Sequence, residues 1–280
     1  MLDLPITDTH LHLWDPGRLC YPWLAPLPAL NRPFSLADFD RACAPVRVAR
    51  MVFVQCECEP AQAIAEMQWV AALAAGDQRL RGIVAFAPLE QGAEVASSLA
   101  QISAEPLVKG IRRIIQFESD LAFCVQPRFI EGVRLLARFD LSFDLCISHG
   151  QLANTIHLVR SCPQVRFMLD HIGKPDIKTR QLEPWRTQLR ELAREPNVWC
   201  KLSGLVTEAD HARWRASDLR PYVEHVVDCF GFDRLVFGGD WPVATLASSY
   251  PQWCNALAEI LADASAAELE RLWRSNATRF

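Results

Sequence analysis

The sequence predicts a single α/β domain folded as a (β/α)8 TIM barrel. Along its 280 residues, eight short apolar or β-branched segments alternate with longer segments of helical period, with no Gly/Ser-rich linker between them. Eight βα units in about 250 residues match the usual size of such a barrel. A doubly wound dinucleotide-binding fold is disfavoured because the sequence contains no GxGxxG motif.

The predicted elements follow one another as strand and helix, which implies parallel crossovers. Residues 14–47, between the first two strands, are rich in Pro and aromatic residues, and we expect them to cover the barrel mouth as a loop insertion in one domain of residues 1–280. Amphipathic segments predict helices at 60–75, 128–139, 185–195, 219–230, 252–261 and 266–275. The predicted strands are 6–13, 50–54, 82–87, 108–116, 142–147, 166–171, 198–203 and 235–239.

Composition disfavours several classes of protein. The net charge is −4 and Lys and Arg are scattered, so we expect no nucleic-acid partner. The N-terminus carries acid where a signal peptide carries base, and no apolar run approaches the roughly 20 residues that span a bilayer, which predicts a cytoplasmic protein without a membrane partner. The ten cysteines form no CxxC pair, so we expect reduced, mostly buried thiols.

His10 and His12 lie at the C-terminal end of the first predicted strand. Residues two apart project from the same face of a strand, so both imidazoles are expected to point into the barrel. Neutral imidazoles can bind a divalent metal or can hold and polarise a water molecule. Two structural histidines are the alternative, but active sites of TIM barrels lie at this end, which favours a functional pair.

His171 and Asp240 close the sixth and eighth predicted strands and are expected at the same rim. A carboxylate there can accept a proton from water and pass it on. Taken alone, Asp240 could simply cap the following turn. Three inward histidines with one carboxylate at strand ends predict a catalytic or metal-binding site instead.

The fourth predicted strand carries two adjacent arginines, of which only one can face the lumen. A period of two groups Arg112 with Gly110 and Gln116 on one face and leaves Arg113 on the other. We expect Arg112 to be inward, because a glycine is tolerated at ligand-facing positions. Its guanidinium could bind a carboxylate or polarise a carbonyl.

Lys201, on the seventh predicted strand, is a charged residue in an apolar segment. Contact with a substrate hydroxyl or carboxylate is one explanation, and an ion pair inside the barrel is the other. His149 follows the fifth strand at the start of a loop and is a weaker candidate for a substrate contact.

Six motifs together resemble the amidohydrolase-2 (amidohydrolase-related) family of the amidohydrolase superfamily, and within it the sugar-lactone hydrolases. They match that family in order and spacing over nearly the whole chain. The motifs are DTHLHLWD (8–15), YPWL (21–24), KGIRR (109–113), LDHIGKP (169–175), KLSGL (201–205) and RLVFGGDWP (234–242).

This resemblance implies a metallo-dependent-hydrolase barrel in which His10, His12, His171 and Asp240 surround the hydrolytic water, or one divalent metal such as Zn²⁺ if a metal is bound. Members are known with one metal and with none. Asp240 would act as general base, and Arg112 and Lys201 would contact the substrate. That substrate would be a small sugar lactone, L-fuconolactone or a close stereochemical relative. Gln116 and His149 would add contacts, and Trp14, Trp23 and Trp241 would form apolar walls or belong to the core.

Three alternatives remain open at this point. A lactonase of pyrone or muconolactone type would need several inward cations for its multiply charged substrate. A decarboxylase of the same family would need a tightly held metal. The third alternative is a sugar-binding protein without catalytic activity. An oligomer is compatible with the sequence.

Overall fold

The structure is a computed structural model that describes residues 4–280. Within them, eight strands form one sheet in chain order, and each pair of neighbours is parallel. Residues 1–3 lie outside the described residues. They belong to the predicted 1–280 domain and to the N-terminal segment that was considered for a signal peptide. The strands are β1 Ile6–Leu11, β2 Val48–Val54, β3 Leu80–Ala85, β4 Val108–Ile111, β5 Ser142–Leu145, β6 Phe167–Leu169, β7 Val198–Leu202 and β8 Leu235–Phe237.

The first and last strands meet at their carboxyl ends. The amide of His12 donates to the carbonyl of Trp241 at 2.8 Å, and the amide of Asp240 donates to the carbonyl of His10 at 2.8 Å. These bonds bring the end of β1 beside the segment that follows β8. The sheet is a nearly closed barrel, which confirms the predicted (β/α)8 fold.

The α-helices of residues 4–280 surround this barrel. Ser35 and Ser265 cap α1 and α9 by accepting hydrogen bonds from the amides three residues on. None of the helices described is both long and apolar enough to cross a membrane. The helices are α1 Leu36–Cys43, α2 Ala63–Ala74, α3 Ala96–Ser103, α4 Pro127–Leu135, α5 Leu152–Ser161, α6 Trp185–Leu192, α7 Ala216–Phe230, α8 Tyr250–Ile260 and α9 Ala266–Glu270.

Several strands end earlier than their sequence pattern predicts. β4 ends at Ile111 because the next residues turn towards β5, where the amides of Ile115 and Gln116 both donate to the carbonyl of Cys146. β6 ends at Leu169, and His171 follows in a 3-10 turn with a φ of 52°. The alternating pattern continues into these loops because they pack on the barrel top. Arg112, His171 and Asp240 therefore follow their strands, whereas His10 lies within β1 and Lys201 within β7.

Apolar side chains fill the space between the strands and the helices, whereas the lumen contains buried charges. Phe237 packs against Trp253 and Trp273, with ring centroids 6.5 Å and 4.5 Å away. In the lumen, Asp170 and Lys201 are almost inaccessible to solvent. Burying a charge is costly unless the charge is paired. Charged side chains in the lumen therefore need a structural or functional reason, and we expect the functional site there.

The segment 14–47 contains a 3-10 turn, Pro22–Leu24, and helix α1. The indole nitrogen of Trp14 lies 3.0 Å from the carbonyl oxygens of both Leu30 and Arg32 and donates to them. The indole of Trp23 donates to the carbonyl of Cys56 at 2.7 Å, beyond the end of β2. These bonds fold the segment back on itself and attach it to the barrel.

Candidate active site

Three imidazoles and one carboxylate converge at the carboxyl end of the barrel. The Nε2 atoms of His10 and His12 are 3.2 Å apart. Oδ1 of Asp240 lies 3.8 Å from Nε2 of His10, 3.6 Å from Nε2 of His12 and 4.0 Å from Nε2 of His171. All four side chains are at least 95% buried. The structure thus brings together the four residues that the strand-end motifs single out.

Each imidazole is held at Nδ1, so that its Nε2 faces the centre of this group. Nδ1 of His12 lies 2.8 Å from the carbonyl oxygen of Val54, which can only accept, so His12 carries its proton on Nδ1. Nδ1 of His171 lies 2.9 Å from the Ser203 hydroxyl, and Nδ1 of His10 lies 3.4 Å from Oδ1 of Asp170. Partners of this kind at Nδ1 leave Nε2 as an acceptor or metal ligand.

Two glycines allow this close packing. A Cβ atom on Gly238 would lie 2.7 Å from Cβ of His10. A Cβ atom on Gly204, whose φ is +65°, would lie 2.4 Å from Nδ1 of His171. Both contacts are closer than real side chains allow, so any larger residue at these positions would displace a site histidine.

Burial and mutual charge determine the protonation states in the group. Burial lowers the pKa of His10 and His12, and lowers that of His171 to about 4, so the three imidazoles are neutral at pH 7. Burial alone would raise the pKa of Asp240, but the imidazoles that face it, once protonated at low pH, outweigh burial and hold that pKa below its usual value, so Asp240 is ionised at pH 7. A carboxylate thus faces three neutral rings.

This set of donors fits a divalent metal. One possible group of ligands is His10, His12 and Asp240, and another is His10, Asp170 and His171; within each, the ligand atoms lie within 4.8 Å of one another. The Nδ1 partners point the Nε2 lone pairs inward, and nitrogen with carboxylate oxygen is a donor set that Zn²⁺ accepts.

Arg112 lies directly beside these imidazoles. Its Nη1 is 3.2 Å from Nε2 of His10 and 3.4 Å from Oδ2 of Asp170, and its Nη2 donates to the carbonyl of Gln55. Arg113 lies outside, where it pairs with Glu90 and Glu118. Of the two adjacent arginines, Arg112 is therefore the one that faces the lumen.

Lys201 is not where the substrate-contact explanation places it. Its Nζ atom forms ion pairs with Asp144 and Asp170, lies 3.5 Å from Nδ1 of His10, and does not line the cavity at the barrel mouth. The other explanation, an ion pair inside the barrel, describes this geometry. The two-residue period of a strand predicts which face a side chain lies on, but not how far that side chain lies from the barrel mouth. Lys201 lies two residues deeper in the barrel than Ser203.

A cavity of about 470 Å³, here called the upper cavity, opens above the site. Trp23 and Gln116, two of the expected substrate contacts, line it. Trp14 and Trp241 do not, because Trp14 packs against Phe34 and Trp23 while Trp241 packs against Phe34 and Phe39. His149 does not line it either, and its Nδ1 lies 2.9 Å from the carbonyl oxygen of Lys174.

Three charged residues of the upper cavity are absent from the sequence-based set: Glu59 at its exposed edge, Glu57 and Lys174. Glu57 has a φ of 54°, and its carboxylate and amide both bond the side chain of Gln55, at 2.7 Å and 2.6 Å. Lys174 has a φ of 48° and follows the turn that carries His171. Glu57 and Lys174 lie in loops, where periodicity gives no orientation. Their position just beyond predicted strands was one signal, and the place of Lys174 in the LDHIGKP motif (169–175) was another.

The sequence and the structure are similar to several known proteins. A family model described as Amidohydrolase matches residues 7–280. A Burkholderia multivorans protein named L-fucono-1,5-lactonase is 35% identical over 285 residues, covering 97% of this chain and 94% of that protein. A crystal structure of an amidohydrolase from Burkholderia multivorans with bound Zn has a TM-score of 0.87 and 32% identity, covering 99% of this chain and 98% of that chain.

A probable 2-pyrone-4,6-dicarboxylic acid hydrolase from Acinetobacter baumannii also superposes. Its TM-score is 0.79 at 17% identity, with coverage of 99% of this chain and 98% of that chain. At that identity the likeness extends to the fold alone.

Proposed function

Because the chain belongs to the amidohydrolase family, as its motifs had indicated, we propose that it hydrolyses a sugar lactone, L-fuconolactone or a close stereochemical relative, to the sugar acid. The observation that carries this proposal is the convergence of three Nε2 atoms, Oδ1 of Asp240 and Nη1 of Arg112 at the base of the upper cavity, where His10 lies just beneath the lining residues His12 and His171. The similarity to a relative named L-fucono-1,5-lactonase supports the substrate class.

The reaction begins with a water molecule held by the imidazoles. Asp240 is ionised at neutral pH and removes a proton from that water, and the hydroxide attacks the lactone carbonyl. The buried, neutral imidazoles accept or donate hydrogen bonds without competing for the proton. No covalent bond between enzyme and substrate is needed.

Arg112 stabilises the negative charge that develops on the carbonyl oxygen. In other enzymes one such donor is worth roughly 3–4 kcal/mol. When the tetrahedral intermediate collapses, Asp240 gives its proton to the ring oxygen that leaves. An alkoxide is a much stronger base than a carboxylate, so this proton transfer is favourable.

The proposal includes one divalent metal, with zinc as the candidate, held by His10, His12, His171 and Asp240. When bound, such an ion supplies Lewis acidity and lowers the pKa of water. The similar structure from Burkholderia multivorans with bound Zn supports this choice. The proton transfers above are assigned to the chain's own residues.

The charges of the upper cavity favour a neutral substrate. Arg112 and Lys174 are the cations among its lining residues, and Glu57, Glu59 and Asp240 are the acids. A pyrone dicarboxylate brings two negative charges and would meet more acid than base here. A neutral polyol suits the same wall, because its hydroxyls can donate to Glu57 while Trp23 packs against the ring. In this proposal residues 14–47, which supply Trp23, form one wall of the cavity.

Hydrolysis of a panel of aldonolactones, followed by proton release, tests the proposal. The panel also includes a pyrone dicarboxylate and a muconolactone, and each assay is run with and without chelator alongside measurement of bound zinc. We expect stereoselective hydrolysis of sugar lactones. Turnover of the pyrone or muconolactone alone would contradict the substrate class, and loss of activity in step with zinc would assign the metal to the reaction.

A further inference from the structure

A second cavity, of about 630 Å³ and here called the lower cavity, opens at the opposite, N-terminal end of the barrel. It extends into the lumen past Thr7 and Gly82, near the beginning of β1 and β3, and past Val52 of β2, and ends at the ion pair of Asp144 with Lys201. Side chains this small leave the N-terminal half of the lumen partly unfilled. The mechanism proposed above uses none of this space.

The rim of the lower cavity carries positive charge without an ion-pair partner among residues 4–280, although Nζ of Lys109 donates a hydrogen bond to the carbonyl of Pro106 at 2.7 Å. Arg50, Arg81 and Lys109 line it and are exposed, and none of the three forms an ion pair within 4.0 Å among residues 4–280. Glu105 is the acid that lines the same rim without forming an ion pair. The other charges are neutralised, because Arg166 pairs with Asp140 as Lys201 does with Asp144. Three cations against one carboxylate favour an anion.

The wall deeper inside offers a hydroxyl group. Thr7 is 3% exposed, it lines the lower cavity, and its Oγ1 atom has no hydrogen-bond partner among the described residues. Leaving a buried polar group unsatisfied is costly, so a group of this kind needs a partner such as an ordered water, an ion or a hydroxyl of a ligand. The neighbouring Thr9 hydroxyl is already used, since it donates to the carbonyl of Phe237. Thr7 is therefore the free donor in the wall.

We propose that the lower cavity binds a polyhydroxylated carboxylate, with the carboxylate at Arg50 and Arg81 and a hydroxyl at Thr7. A small inorganic anion would occupy only a minor part of about 630 Å³ and would not reach from the rim to Thr7. This assignment rests on the proposed function in one respect, because a sugar acid is the product of lactone hydrolysis. The uncharged lactone lacks the group that the rim would recognise, so the site selects product over substrate.

Equilibrium dialysis with radiolabelled gluconate tests this site. The proteins compared are the wild type, an Arg50→Ala/Arg81→Ala double variant, Thr7→Val and Arg112→Ala, with Arg194→Ala as control for an exposed arginine outside the cavity. We expect at least tenfold weaker binding in the double variant, severalfold weaker binding in Thr7→Val, and wild-type affinity in Arg112→Ala and Arg194→Ala. Initial rates of lactone hydrolysis in the double variant should equal those of the wild type.

Three results would overturn the proposal: no binding of gluconate, loss of binding in Arg112→Ala but not in the double variant, or equally strong competition by inorganic phosphate. The second would assign gluconate to the upper cavity. If the double variant fails to fold, Thr7→Val retains the shape of the wall and decides alone. Gluconate binding by a chain that hydrolyses no lactone would contradict the proposed function while leaving this site intact, so the two failures are distinguishable.

Discussion

The ammonium nitrogen of Lys201 lies 3.0 Å from Oδ1 of Asp170, and the same carboxylate oxygen lies 3.4 Å from Nδ1 of His10. Asp144 completes the ion pair on the other side of Lys201. Burial alone would lower the pKa of Lys201, but these two acids outweigh it and raise that pKa. The lysine therefore stays charged beneath the site, and Asp170 connects it to the imidazole that lies closest to Arg112.

Substitution Lys201→Met should destabilise the protein by about 3–5 kcal/mol, because it leaves the buried Asp144 without a cation and leaves Asp170 with Arg112 alone. Urea denaturation measures the loss. Lys109→Met, which removes an exposed lysine, should change stability by less than about 0.5 kcal/mol. A Lys201→Met protein of wild-type stability but with a raised KM would show instead that Lys201 binds substrate.

Substitution Arg112→Lys should lower kcat/KM about 100-fold, because lysine cannot keep the bond to the Gln55 carbonyl and also face the reacting carbonyl. Arg113→Lys is the matched control, since it retains a cation beside Glu90 and Glu118 outside the barrel. Steady-state kinetics with the best lactone compares the two. Equal activity in both variants would remove Arg112 from the reaction.

Substitution Glu57→Gln should raise KM for a polyhydroxylated lactone about tenfold, because a charged acceptor of the sugar hydroxyls is lost. An unsubstituted lactone of the same ring size has no such hydroxyls and should show no change. Glu59→Gln, at the exposed edge of the same cavity, is the control. A similar change for both lactones would mean that Glu57 shapes the loop and does not bind substrate.

Glu66 should make the protein less stable as the pH rises. Burial raises its pKa to about 8, although the amide of Cys56 donates to the carboxylate at 3.3 Å. The folded state therefore binds a proton that the unfolded state has lost above about pH 4.5. Stability is fully present below that pH and falls until the pH passes 8.

Denaturation of wild type and Glu66→Gln at pH 5.5 and pH 8.5 checks this effect. Relative to the variant, the wild type should lose about 3 kcal/mol between the two pH values, at about 1.4 kcal/mol for each unit up to pH 8. Parallel stability profiles for the two proteins would show that Glu66 is not protonated in the folded state at neutral pH.

Much of this arrangement follows from periodicity in the sequence. His10 and His12 are two residues apart at the end of a strand, and the carboxyl ends of parallel strands meet, so their proximity to His171 and Asp240 could be predicted. The same argument gave the face of Lys201 but not its depth. Depth depends on where each strand begins relative to its neighbours, and the sequence of one strand does not contain that information.

Two charged loop residues of the upper cavity were beyond this approach. Glu57 and Lys174 enter the upper cavity from left-handed backbone conformations that no alternation pattern encodes. Trp14 and Trp241 were candidates for the cavity wall because they belong to the motifs, yet each is covered by other aromatic rings. Whether an aromatic residue faces a cavity or the core depends on its neighbours in space.

The most direct test of the central claim is the hydrolysis rate of Asp240→Asn on the sugar lactone that the wild type hydrolyses fastest. The amide keeps the shape of the carboxylate but cannot take a proton from water, so we expect kcat to fall at least about 100-fold while the circular dichroism spectrum and the unfolding midpoint stay close to those of the wild type. An Asp240→Asn enzyme that retains wild-type kcat would contradict the assignment of Asp240 as the general base.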